Sequence, residues 1–363
     1  MMDRIAAILG AARRERVFSA AAWSYGDAKG PWGRGMLGTL AWDDADGAGC
    51  PDVAESSLWD LASVTKPIVA MAVMSLVESG ELTLDDTIGD HLADYRDTDK
   101  AGIAVRDLLT HTSGIPGQIP LFQWNPTSDG LLRAIRTLPL LAPAGTEVVY
   151  SSQGFIVLGL IAEAASGMPL DDLVRCRVLE PAGTTDTGFG LPENRRAEAV
   201  ATEDDPWRGR MVQGEVHDEN AVVLGRPAGH AGLFATLADL EALGQALCAR
   251  GAGHGGRLLS SSSYRVMIAP RTDHLRLRRT LGWQGVDPVG SPAGDLVGPN
   301  GFGHTGFTGT SIWVDPEAGR YSVLLTNRVH PTRSSPAFNR VRRAVNNVAF
   351  AAPTTTHPPT ADH

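Results

Sequence analysis

Lysine is the scarce residue in this 363-residue chain. Lys29, Lys66 and Lys100 are the only three, so 29 of the 32 basic residues are arginine. Arginine holds its proton under ordinary conditions, whereas a buried lysine can release it. A lysine set among apolar residues is therefore a candidate for titration, because arginine serves as the routine cation elsewhere. Cysteine is equally rare. Cys50, Cys176 and Cys248 are odd in number and widely spaced, which excludes a disulfide framework, matches no zinc motif and predicts reduced, buried thiols. No His, Asp or Glu set has metal-ligand spacing, so neither a metal nor another cofactor is expected.

Long uncharged apolar runs are also missing, which argues against a membrane span. Clustered basic charge is missing too. The net charge is −9 with the arginines scattered, which speaks against nucleic acid or an anionic membrane as partner. The N-terminus, "MMDRIAAILGAARRERVF", has no positive-then-apolar order of a secretory signal. It reads as an amphipathic helix with Ile5, Ile8, Leu9 and Ala12 inward, and a cytoplasmic protein is expected. With 43% hydrophobic and 20% charged residues, the chain can form one large domain or two closely joined ones.

Alternating patterns at 17–27 ("VFSAAAWSYGD") and 33–42 predict two strands joined by a Gly/Pro turn. A continuous apolar helix covers 58–79. From about 80 to 200 the pattern is mostly helical, including a helix over 154–166 with Gly167 as its stop. A further helix is expected at 236–250, strands at 310–316 and 320–328 around a "PEAG" turn, and a closing helix at 336–352. The Pro/Thr-rich end, 351–363, is predicted to be disordered. This order implies an α/β fold, an antiparallel sheet flanked by helices. Residues 1–79 and 200–350 would build it from both chain ends, and 80–199 would be an inserted, mostly helical domain.

The stretch "LWDLASVTKPIVAMAVMSLV" (58–77) places Ser63 three residues before Lys66, on one face of a helix start. Pro67 is tolerated only near such a start. Burial favours an uncharged amine, which suits Lys66 to take the hydroxyl proton of Ser63. The positive end of the helix would favour an oxyanion. Taken alone, an S-x-x-K is a weak signal. Tyr150 in "EVVYSSQGF" stands in a loop before the next apolar helix. Beside a lysine it can shuttle protons, although a lone tyrosine there would more often be a packing residue. In "GFGHTGFTGTSIWVDP" (301–316), Gly306 and Gly309 let a strand approach a ligand closely. His304 by itself reads as structural.

The three elements follow one another as S-x-x-K, Y-S-S and H-T-G, with gaps of 87 and 154 residues. S-x-x-K with S-D-N and K-T-G marks class A β-lactamases and penicillin-binding proteins. The tyrosine at the second motif departs from that pattern. The chain instead resembles the class C β-lactamase branch of the serine β-lactamase and penicillin-binding-protein superfamily, with its esterase, D-aminopeptidase and D-alanyl-D-alanine carboxypeptidase relatives. The resemblance spans roughly 15–350 and includes "VRDLLTHTSGIPG" and "AGHAGLFATLADL". The run "DPWRGRMVQGEVHDENA" (205–221) is similar to a subgroup of uncharacterised serine hydrolases.

The resemblance implies Ser63 as nucleophile, with Lys66 and Tyr150 sharing acid–base work. It implies the backbone N–H groups of Ser63 and Phe307 as the oxyanion hole, and Ser152, His304, Thr305 and Gly306 as substrate contacts. Ser152 stands where many relatives have Asn, and His304 where β-lactamases have Lys. A mostly neutral histidine weakens recognition of a substrate carboxylate, which favours ester or amide substrates over β-lactams. His111 is expected to order a loop, His217 and Asp218 to border the cleft, and His230 to lie in the core. Trp124 and Trp283 line either an acyl pocket or the core. Three functions stay open: hydrolysis of a small acyl substrate through an acyl-serine, transfer of that acyl group to an amine or alcohol, and non-catalytic ligand binding.

Overall fold

A computed structural model describes residues 2–42, 49–334 and 337–353, with side chains from Arg4 onward. Strands from both chain ends share one six-stranded antiparallel sheet. Its members are β1 (Ala20–Asp27), β2 (Gly30–Gly38), β6 (Gln284–Gly285), β7 (Phe302–Thr305), β8 (Ser311–Asp315) and β9 (Arg320–Thr326), in the order β6-β7-β8-β9-β1-β2. A smaller sheet joins β3 (Trp59–Asp60), β5 (Leu233–Ala235) and β4 (Gly188–Phe189). The fold is thus mixed, an antiparallel sheet flanked by helices.

Side-chain alternation sorts the two faces of the large sheet. Ala21, Trp23 and Tyr25 on β1 and Leu324 on β9 pack with Ile5 and Leu9 of α1 (Met2–Arg14) and Val345 of the closing helix α6 (Phe338–Phe350). Ala20 and Ala22, with Val323 and Leu325, point the other way into the main core, shared with Leu240 and Leu243 of α5 (Leu237–Cys248). Register follows: Ala22 faces Leu325 and Trp23 faces Leu324. Both faces are covered, so β8 and β9 are buried along almost their whole length.

The core of the helical part is α2 (Thr65–Ser79) against α3 (Ser152–Ser166). Every residue of α2 from Thr65 to Leu76 is buried, which explains its lack of a polar face. The run Ala62–Ser79 is long and apolar enough to cross a membrane, but 78% of it is buried inside the protein. Gly167, at φ 68°, ends α3 in the left-handed conformation.

Three boundaries differ from the periodicity. The apolar pattern carries the helix back to residue 58, yet Trp59 and Asp60 form a strand opposite Ala235 and Phe234. Pairing with a segment distant in sequence overrides the helical pattern there. The second strand lies at Gly30–Gly38 rather than 33–42, because its register is set by pairing to β1. The segment Gly188–Phe189, inside the expected helical insertion, pairs with β5. Of the tail expected to be disordered, residues 354–363 lie outside the described residues.

Candidate active site

After β3 the chain reverses sharply. Ala62 takes φ 46°, a left-handed conformation that costs a residue with a side chain about 1–3 kcal/mol. Asp60 holds the turn: its Oδ1 accepts the Ala62 N–H at 2.7 Å and its Oδ2 accepts the His217 N–H at 2.7 Å. Burial pushes the Asp60 carboxyl up against the pull of those bonds. Ser63 therefore sits in a 3-10 turn, Ala62–Val64, which leads into α2 rather than in the first turn of that helix. It is half-buried.

Lys66, one helical turn on, is 0% exposed. Its Nζ–H donates to Ser63 Oγ at 3.0 Å and to the His230 carbonyl at 3.0 Å. Nζ also lies 4.9 Å from the centre of the Tyr150 ring and 5.9 Å from that of Phe155. His230 is fixed in turn by Asp218, its Nε2 being 2.9 Å from Asp218 Oδ1, while Asp218 caps α4 (Glu219–Leu224) at the Ala221 N–H. Burial opposes ionisation of Asp218, but His230, that N–H and Lys66 outweigh it and hold the carboxyl well below its usual range.

Tyr150 stands just ahead of α3. Ser151 caps that helix by accepting the Gly154 N–H at 2.9 Å, and its own N–H donates to His111 Nδ1 at 3.0 Å. Nδ1 is thus an acceptor, which leaves the ring proton on Nε2. The rings of His111 and Tyr150 lie 4.6 Å apart. Burial, with Arg279, Lys66 and His304 nearby, holds the His111 pKa well below its ordinary value. Ser152 opens α3 and is buried; it is not among the residues that form the cavity wall.

The end of β7 supplies the third side. A Cβ on Gly306 would overlap Thr310 Oγ1 and the Leu61 carbonyl, so only glycine allows this strand end to lie against the Ser63 turn. Two hydrogen bonds fasten it there, from Thr308 Oγ1–H to the Asp60 carbonyl (2.8 Å) and from Thr310 Oγ1–H to the Leu61 carbonyl (2.9 Å). His304 is buried and its Nδ1–H donates to the Thr305 carbonyl at 3.0 Å. Burial first, then Lys66 and Arg279, hold its pKa well below the ordinary histidine value. The expectation of a mostly neutral ring at this position is thereby strengthened. Phe307 is 44% exposed and stacks on His217 at 5.8 Å. Burial would raise the Glu203 carboxyl, but hydrogen bonds from His217 and Arg333 hold it down at about 2.

These elements border one cavity of about 590 Å³, whose wall includes Ser63, Tyr150, His304, Thr305, Gly306 and Phe307. Neither tryptophan lines it: Trp124 is 65% exposed, and Trp283 packs in the core against Phe302. Sequence reasoning missed the cationic part of this wall, which carries Arg279, Arg328, Arg333 and Arg342. One signal was available. Arg342 falls at the inward spacing of α6, between Phe338 and Val345, where an apolar residue belongs. Among the described residues no His/Cys/Asp/Glu group could hold a metal ion.

A β-lactamase family model matches residues 2–347. A protein of Escherichia coli O157:H7, provisionally named D-alanyl-D-alanine carboxypeptidase, is 30% identical over 315 residues, 78% of this chain and 72% of that protein. Among solved structures, EstCE1, a hydrolase with promiscuous acyltransferase activity, superposes with a TM-score of 0.76 at 20% identity over 96% of this chain and 98% of its own. Unliganded simvastatin synthase from Aspergillus terreus gives 0.74 at 20% identity, covering 96% and 97%. The chain belongs to the β-lactamase family, the serine hydrolases built on the β-lactamase and penicillin-binding-protein fold.

Proposed function

We propose that this protein cleaves small esters or amides, D-amino-acid amides and peptides among them, through an acyl intermediate on Ser63. The observation that carries this reading is the wholly buried Lys66 with Nζ 3.0 Å from the Oγ of Ser63, which itself lines a cavity of about 590 Å³. Ser63 Oγ attacks the carbonyl carbon and its proton passes to the Lys66–Tyr150 pair. The backbone N–H groups of Ser63 and Phe307 stabilise the oxyanion. Collapse breaks the bond to the alcohol or amine, which leaves with that proton. Water then attacks the acyl carbon and gives a proton to the same pair, and the acid departs as the proton returns to Ser63 Oγ.

His304 offers a β-lactam carboxylate no fixed cation at the motif position, which favours esters and amides; the cations of this cavity are instead Arg279, Arg328, Arg333 and Arg342. Acyl transfer is the second reading. The named activities of EstCE1 and simvastatin synthase favour it, as does an open cavity that could admit an amine or alcohol in place of water. Turnover of p-nitrophenyl esters, D-alanyl amides and nitrocefin by the full chain tests both. The expected result is an ester burst with slower steady turnover, little nitrocefin cleavage, and loss of all three in Ser63→Ala. Coupled product on adding an alcohol or amine would select transfer. Turnover that survives Ser63→Ala would overturn the acyl-serine reading.

A further inference from the structure

Three guanidinium groups in the wall of the Ser63 cavity make no ion pair among the described residues. Arg342 is 4% exposed, its Nε has no hydrogen-bond partner among the described residues, and its two Nη bonds, to Asn339 Oδ1 (3.4 Å) and the Thr310 carbonyl (3.5 Å), are long. Arg279 is 7% exposed, has an unpartnered Nε, and lies over the Tyr150 ring at 5.8 Å. Arg328, half-buried, donates among the described residues only to the Phe307 carbonyl, at 2.7 Å. Among the described residues none of the three is ion-paired, and the cavity wall contains no Asp or Glu. The contrast is Arg333 on the same wall, whose fork is taken up by Glu203 and Glu219. Of the nearby carboxylates, Glu203 binds Arg333 and His217, Asp295 pairs with Arg343, and Asp287, which favours the charged form of Arg279 from a distance, accepts the Arg278 backbone N–H at 2.8 Å.

Burying a cation without a partner is costly. Each burial also disfavours the charged form: Arg279 and Arg342 are both pushed below the usual arginine range, Arg342 additionally by Arg328. Each guanidinium lies over an aromatic ring, Arg279 over Tyr150 (5.8 Å), Arg328 over Phe307 (4.6 Å) and Arg342 over Phe338 (4.6 Å), but none of these forks makes a bidentate bond to a carboxylate. An anion from outside would supply what is missing. Arg342 also belongs to a neighbouring cavity of about 560 Å³ along α6, which shares Gln284, Thr305 and Asn339 with the first.

We propose that the cleft takes a substrate bearing at least two negative charges, carboxylate or phosphate, seated between Arg342, Arg279 and Arg328. A single carboxylate would leave most of this charge unmatched. The inference rests on the acyl-serine reading of the cavity and specifies the substrate class for it. Recognition would then rest on these three arginines rather than on the motif position, where burial holds the His304 pKa low.

The test is competition at fixed ionic strength. The rate at which a fluorophosphonate labels Ser63 is followed by intact-protein mass spectrometry with acetate, tricarballylate or glycerol 3-phosphate present. The same anions are titrated calorimetrically into the full chain. We expect tricarballylate, glycerol 3-phosphate or both to protect and bind at concentrations at least about tenfold below acetate, given charge-assisted pairing to more than one guanidinium. The stronger of the two identifies carboxylate or phosphate. Arg342→Gln and Arg279→Gln should each reduce that advantage. If Arg342→Gln does not fold, the wild-type ranking and Arg279→Gln decide. Equal, weak effects of all three anions, with Ser63 labelled normally, would overturn the inference and leave the hydrolase reading intact. Absent labelling would instead remove the acyl-serine reading, with calorimetry still ranking the anions.

Discussion

Lys66 is 0% exposed and has two hydrogen-bond partners, the Ser63 hydroxyl and the His230 carbonyl. Lys66→Arg keeps a nitrogen donor at this position but cannot act as a base. It should lower kcat by about 10²–10⁴-fold, the usual weight of a positioned acid–base group. Steady-state turnover of a p-nitrophenyl ester, beside circular dichroism to confirm folding, checks this; full activity would contradict the proton-transfer role. Gly306 makes a second residue-scale case. A methyl group there meets Thr310 Oγ1 and the Leu61 carbonyl, so Gly306→Ala must disturb the contact between this strand end, which carries Phe307, and the Ser63 turn. The expected loss is about 10²–10³-fold in kcat, as for one oxyanion donor, with KM little changed.

At the scale of elements, the loop 205–221 acts as a brace. His217 gives its N–H to Asp60 at the foot of the Ser63 turn, stacks on Phe307, and binds Glu203 at 2.8 Å. Both candidate oxyanion donors are therefore tied to one histidine. His217→Ala should reduce kcat more than it raises KM, whereas His217→Gln should recover part of the loss by restoring a bond to Glu203. Equal effects of the two substitutions would point to a merely space-filling role. The same loop carries Asp218, which fixes His230 beneath Lys66. The three motifs were legible in the sequence because each is short: S-x-x-K fixes one turn of chain, and Y-S-S and H-T-G each lie at the edge of an element with a clear pattern. The Ser63 turn was not. Its strand residues, Trp59 and Asp60, are set by partners near position 235, and local periodicity carries no information about pairing at that distance. The arginine wall was hidden for a like reason, since Arg279, Arg328 and Arg342 come from three separate segments and only the fold brings them together.

For the whole molecule, the sheet built from both chain ends was visible in the order of patterns, and its faces follow from alternation along β1 and β9. The buried histidines around Tyr150 give the folded state a pH signature. His111 and His304 are held well below the ordinary value of 6.5 by burial and by neighbouring cations. As pH falls through about 6.5, the unfolded chain takes up protons that the folded protein refuses. Their contribution is thus fully present above that pH and is lost below it, at up to about 1.4 kcal/mol per pH unit for each ring. Glu203, held at about 2, weakens the fold only at pH below the ordinary carboxyl value of about 4.3. Asp60, pushed up by burial, works in the opposite sense. The histidine part is therefore read as a difference: between pH 7 and 5 the Tm of the wild type should fall more steeply than that of His304→Asn, and parallel curves would contradict the assignment. The claim on which the rest depends is that Ser63 carries the acyl group, and covalent capture tests it most directly. After exposure of the intact protein to a fluorophosphonate, mass spectrometry with peptide mapping should find one adduct, on Ser63, absent from Ser63→Ala; an adduct on any other residue, or an unchanged yield in that variant, would contradict the account.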